Sequence, residues 1–117
     1  MRLTEVAVPF QLLNDKELTD SARMLWCYLR AIRKHQPRLT WAELRRATGM
    51  PQYRLKQHMI NLDELRWIQF DPLGVREFEC HAFWRGTRAF TIPVDLVLDR
   101  RVPHGAKWLW VQIRELG

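Results

Sequence analysis

Residues Thr40 to Ile68, TWAELRRATGMPQYRLKQHMINLDELRWI, read as two short amphipathic helices joined by a tight turn. Thr40 is a favourable N-cap and Glu43 stands three positions on, a capping box that satisfies backbone amides at a helix start, so a helix begins at Trp41. It stops near Gly49, because glycine tolerates the left-handed conformation that closes a helix. Pro51 then suits the first turn of the next helix, where no amide hydrogen is needed. Leu44, Ala47 and Met50 on one side, and Leu55, Met59, Leu62 and Leu65 at helical spacing on the other, give the pair one shared apolar seam. The polar side of the second helix carries Gln52, Tyr53, Arg54, Lys56 and Gln57. This is the layout of a DNA-reading helix-turn-helix.

Charge is concentrated on the same stretch. Between Arg30 and His58 the basic residues are Arg30, Arg33, Lys34, Arg38, Arg45, Arg46, Arg54 and Lys56, against the single acid Glu43, so most of the net charge of +6 resides here. A basic face around a reading helix is the electrostatic footprint of a polyanion binder.

The 117 residues suffice for one compact core, and a hydrophobic content of 47% excludes a disordered chain. No apolar run reaches the length of a membrane helix, and the N-terminus lacks the charged and apolar regions of a signal peptide, so a cytoplasmic protein without a membrane partner is expected. Cys27 and Cys80 are far apart and neither belongs to a CxxC pair, which argues against a disulfide framework or zinc ribbon. Enzymatic readings find little support. Ser21 is the only serine and falls in the first turn of a helix, and His35, His58, His81 and His104 are scattered without an HExxH. There is no phosphate loop and no GxGxxG. No catalysis, cofactor or metal is expected.

An internal repeat runs through the rest of the chain. Shifted by 84 positions without a gap, VAVPFQLLNDKELTDSARMLWCYLR aligns with FTIPVDLVLDRRVPHGAKWLWVQIR. Identical pairs are Pro9 with Pro93, Leu12 with Leu96, Asp15 with Asp99, Ala22 with Ala106, Leu25 with Leu109, Trp26 with Trp110 and Arg30 with Arg114. Each copy reads as a short extended stretch, a single helical turn and a longer helix. The apolar stripe of that helix is Ala22, Leu25, Trp26, Leu29 and Ile32 in the first copy, and Ala106, Leu109, Trp110, Ile113 and Leu116 in the second. Thr19 is the N-cap of the first, and Pro103 opens the second. Trp26 and Trp110 are expected in helix seams, Trp41 and Trp67 against the core, and Trp84 and Trp108 partly exposed.

Between the copies a hairpin is expected: a strand at Trp67, Ile68 and Phe70, a turn at Asp71-Pro72-Leu73-Gly74, and a second strand from Val75 to Phe83. Residues 84 to 89 then serve as a linker. The expected organisation is therefore 1–83 as a DNA-binding unit, 84–89 as linker and 90–117 as a partial second copy. The expected fold class is mainly α with a small β hairpin, a winged helix-turn-helix followed by the opening strand and helix of an incomplete second copy.

The LTDSAR helix start, LTWAELRRATGMPQYRLKQHMINLDELRWI and the hairpin after it resemble the winged-helix domains of bacterial and plasmid replication initiation proteins, of the DnaD N-terminal or RepA N-terminal type. They are similar more generally to winged-helix transcription regulators. The resemblance covers Val6 to about Phe83 and restarts at Phe90. It implies duplex DNA contact through Gln52, Tyr53, Arg54, Lys56 and Gln57, and a nucleoid- or plasmid-associated role in replication initiation or transcription regulation. Pro51 departs from the serine N-cap such domains often carry, and Arg66 from the glycine many have before the wing.

On this reading the mechanism is recognition without chemistry. The amides of Gln52 or Gln57 can pair with adenine, Arg54 and Lys56 reach guanine or phosphate, and Arg45, Arg46 and the wing residue Arg76 are placed for backbone contacts. The competing reading is a protein-interaction or oligomerisation platform with weak DNA binding or none. The amphipathic helix Val102 to Leu116 is then expected to fold back on the first copy, to pair with its equivalent in a homodimer, or to belong to a second domain removed by truncation.

Overall fold

Val6 and Val8 are buried while Glu5 and Ala7 between them are exposed, the period of two that makes Glu5–Pro9 a half-buried strand, β1. In this computed structural model residues 5–33, 36–99, 101–103 and 105–109 are described. Pro9 ends β1 and opens a single-turn helix, α1 (Phe10–Asn14), which closes at Asp15. The carboxylate of Asp15 accepts from the amide of Glu17 at 3.0 Å and turns the chain into α2 (Asp20–Ile32). Thr19 caps α2, its hydroxyl accepting from the amide of Ala22 at 3.1 Å, with Asp20 in the first turn complementing the helix dipole.

The second copy repeats this in the same order. Ala89–Pro93 forms a strand, Val94–Leu98 a single-turn helix, and Asp99 accepts from the amide of Arg101 as Asp15 does from Glu17. The strand lies antiparallel against β1, with Ala7 opposite Thr91, Val6 opposite Ile92 and Val8 opposite Phe90. Ala7 and Thr91 are repeat equivalents, 84 positions apart, so the two copies meet about a local twofold axis. Val6, Val8, Phe90 and Ile92 all turn inward.

The middle of the chain forms a second sheet. Arg38–Thr40 is β2, followed by α3 (Trp41–Thr48), α4 (Gln52–Glu64), β3 (Ile68–Pro72) and β4 (Glu77–Ala82); the 89–93 strand is then β5 and helix 94–98 is α5. The sheet has the antiparallel order β2-β4-β3. Thr40 caps α3 by accepting from the amide of Glu43 at 3.1 Å, and Gly49 closes it in the left-handed region at φ 74°. Pro51 is the N-cap of α4 rather than its first helical residue. The helix is capped at Leu65, and Arg66 just beyond it adopts φ 64° where glycine would sit without strain, while the amide of Trp67 donates to the carbonyl of Leu62 at 2.8 Å.

One core draws on both 1–83 and the described residues of 90–109: Trp26, Leu44, Leu55, Met59, Trp67 and Phe78 share it with Phe90, Ile92, Val97 and Trp108. Trp26 donates its indole hydrogen to the carbonyl of Trp67 at 3.1 Å, and Trp67 donates its own to the Asp15 carboxylate at 2.9 Å. Trp41 stacks with Phe78 and meets Phe70 edge-on. Residues 84–88 dock on this body: the Arg85 guanidinium lies 4.9 Å over Trp67, and Arg88 lies 5.3 Å over Phe10.

The expected fold class requires correction. A mainly α winged helix with one hairpin is overturned by a mixed α/β structure, in which 48% of the described residues are helical and 24% lie in strands of two antiparallel sheets. The reason is non-local pairing. The short extended stretches of the two copies pair with each other, β1 on β5, and 38–40, for which the sequence reading expects no strand, pairs as β2 with β4, Arg38 opposite Glu79. The hairpin turn also moves: Asp71 and Pro72 belong to β3, where proline is tolerated because β3 is an edge. Trp108, expected partly exposed, is buried, with its indole hydrogen donated to the carbonyl of Asp20 at 2.9 Å. Trp84 is exposed, and Trp110 lies outside the described residues.

Candidate nucleic-acid interface

Leu55, Met59 and Leu62 recur every three to four residues and are fully buried, so they fix α4 to the core by one side and turn the opposite side outward. On that outer side Tyr53, Arg54, Lys56 and Gln57 are exposed, Tyr53 by 63%; Gln52 is half-buried. Lys56 does not extend freely, because its ammonium lies 5.6 Å from the centre of the Trp41 ring. That contact orients the charge between α4 and the β3–β4 hairpin.

The flanking cations fall into place around this helix. Arg45 and Arg46 are exposed on the last turn of α3, and Arg76 is exposed at the hairpin tip. The carbonyl of Arg76 accepts from the amide of Trp41 at 3.2 Å, so the tip is tied to the start of α3. Arg45, Gln52 and Arg76 consequently line one depression of about 500 Å³. Among the described residues no carboxylate pairs with Arg45, Arg46, Arg54, Lys56 or Arg76. Arg33 and Arg30 are instead spent internally, while Arg38 is exposed on β2. Arg33 pairs with Glu43 at 3.3 Å and bonds the carbonyl of Arg38, and Arg30 lies over the Trp84 ring. Lys34 lies outside the described residues.

His58, one turn beyond Arg54, contributes little charge: partial burial, reinforced by the Arg54 guanidinium, holds its imidazole below the usual histidine range. Its Nε2 has no hydrogen-bond partner among the described residues. Both cysteines are buried, and loss of hydration is the main reason each thiol is held in the neutral form, Cys80 being pushed up to about 12. Among the described residues no group of histidines, cysteines and carboxylates has the arrangement of a metal site. No helix among them is long and apolar enough to cross a membrane.

Apolar side chains also stand on this surface, and the sequence reading did not single them out. Ile60 is 50% exposed and Val75 89%, and the two share a groove of about 410 Å³ with Lys56, floored by Trp41, Phe70 and Phe78. The spacing contained the signal for Ile60: it stands four residues after Lys56 and seven after Tyr53, off the Leu55-Met59-Leu62 seam. Val75 follows Gly74 in the turn, where no periodicity applies. Comparisons of this chain with protein families, with curated proteins and with solved structures found no match.

Proposed function

We propose that the chain binds double-stranded DNA by seating the outer face of α4 in a major groove, in a process of the replication-initiation or transcription-control class. The observation that supports this reading most is the projecting side of α4, which carries Arg54 and Lys56 with no paired carboxylate among the described residues, between Arg45 and Arg46 on one flank and Arg76 on the other. A helix of α4's dimensions fits the major groove, where Gln57 can address adenine and Arg54 guanine. Lys56, aimed by Trp41, and Arg45, Arg46 and Arg76 would neutralise phosphates. With roughly four to six phosphates engaged, the logarithm of affinity should fall with the logarithm of salt at a slope of about −4 to −5. Replacing both Arg54 and Lys56 by alanine should flatten that slope by about 2. A salt series on a random duplex measures it, and an unchanged slope in the double variant would discard the reading.

A second reading, a protein-interaction platform, is favoured by the exposure of Ile60, Leu73 and Val75 beside Lys56 and of Leu109 on helix 105–109. Among the described residues of 102–116, Leu109 is the exposed large apolar side chain that self-association could use, since Trp108 is already buried within the same chain. Stable dimers in light scattering, with no duplex retained at low salt, would select this alternative.

A further inference from the structure

The repeat places Lys107 at the position of Arg23, and the two side chains begin the same task. Arg23 donates to the carbonyls of Leu12 and Asp15 at the end of α1, and Lys107 donates to the carbonyl of Val97 in α5 at 3.0 Å. Their counter-charges differ. Arg23 also pairs with the Asp20 carboxylate at 2.9 Å, whereas the residue equivalent to Asp20 in the second copy is His104, so the sequence has removed the anion. In the second copy Asp99 attracts the Lys107 ammonium, but its carboxylate is engaged by Arg101 at 3.1 and 3.3 Å. Lys107 is only 2% exposed, and an ammonium carries three donors. One of these is accounted for among the described residues.

A cavity of about 200 Å³ opens beside that ammonium. Its walls come from α2, from the α3–α4 turn, from Arg54 and from the second copy, and no carboxylate is among the described lining residues. Met24, Met50 and Val97 give one part of the lining an apolar surface, while Tyr28, Thr48 and Arg54 add polar groups beside Lys107. We infer that this cavity is a binding site for a small organic carboxylate with a short apolar body, its carboxylate taking beside Lys107 the place that Asp20 takes beside Arg23. Inorganic phosphate fits less well, because it would leave Met24, Met50 and Val97 without the apolar partner that the body of an organic carboxylate supplies. Burial lowers the affinity of the Lys107 ammonium for its proton, and a bound anion would relieve that cost.

The site is tested on the free protein, without DNA, so that its outcome is independent of the DNA reading. Methionine methyl groups labelled with carbon-13 report it directly, since Met24 and Met50 line the cavity and Met59 does not. Titration with butanoate should shift the Met24 and Met50 methyl resonances saturably and leave Met59 in place. Butanol, of similar size and uncharged, and sodium phosphate at matched ionic strength should bind at least about tenfold more weakly, the difference a charge-assisted hydrogen bond makes. Lys107→Met should show the same loss for butanoate. The butanol comparison decides the matter even where that variant does not fold. Absence of saturable shifts, or equal shifts with butanol, would overturn the assignment.

Discussion

In the first copy of the repeat Ala22 and Leu25 are buried on α2, which packs against α4 and β4; at the equivalent places in the second copy Ala106 is exposed and Leu109 is 57% exposed. The short elements behave differently. Pro9 and Pro93 open their single-turn helices with φ of −70° and −63°, and Asp15 and Asp99 close them with φ of −77° and −76°. Local chemistry is therefore copied faithfully, because a proline that fixes φ and an aspartate that accepts from the amide two residues on act within four or five residues. Burial of the longer helix is not copied. It is conferred by the two-helix unit after the first copy, which has no equivalent within the described residues of the second.

Truncating the equivalent leucines gives the sharpest separation. Leu25→Ala should cost about 2 to 5 kcal/mol, the range for deleting a fully buried leucine, whereas Leu109→Ala should stay within about 0.5 kcal/mol. Denaturant unfolding of the two variants measures this. Equal losses would mean that Leu109 is covered in solution, and the contrast between the copies would fail.

The equivalent aspartates should separate less widely. Asp15 accepts the buried indole hydrogen of Trp67 at 2.9 Å in addition to shaping its turn, so Asp15→Ala leaves that donor unpaired at a cost of about 1 to 3 kcal/mol. Among the described residues Asp99 hydrogen-bonds its own turn and the exposed Arg101 and accepts from no buried donor, so Asp99→Ala should lose clearly less. Thermal unfolding tests the order of the two. A larger loss at Asp99 would show that the second turn, rather than the first, anchors the core.

These contrasts also mark what the linear sequence carries. The α3–α4 pair was legible because its signals are local: the Thr40 cap, the left-handed Gly49 and the Leu55-Met59-Leu62 period each act within one or two turns. The exposure of Tyr53, Arg54, Lys56 and Gln57 follows from that period. The pairing of β1 with β5 was not legible, although both stretches read as extended, because alternation shows that a strand has a buried face without naming its neighbour. For the same reason Arg33 was counted with the outer cations. Its partner Glu43 is set beside it by tertiary packing. In the second copy the helical period selected Ala106 and Leu109 as the inward stripe, but the fold buries Lys107 and Trp108, since packing decides which face is covered.

The smallest expected difference concerns the two cations that hold the short helices, and it appears as a dependence on pH. Desolvation lowers the Lys107 pKa below its reference value of 10.5, while the Asp99 carboxylate acts in the opposite direction. A base whose pKa is depressed by folding binds its proton less well in the native state than in the unfolded chain. The charged ammonium therefore weighs on the fold throughout the range below the native value. That weight is lifted as pH rises from the native value towards 10.5. Relative to Lys107→Met, the wild-type protein should accordingly gain stability between about pH 8 and about pH 10. Arg23→Met should show no such trend against wild type, because a guanidinium keeps its charge over this range. Urea midpoints for the three proteins at the two pH values decide it. A difference for Lys107→Met that is flat, or that moves against wild type, would show that the ammonium carries no desolvation cost, and the asymmetry between Lys107 and Arg23 would reduce to geometry.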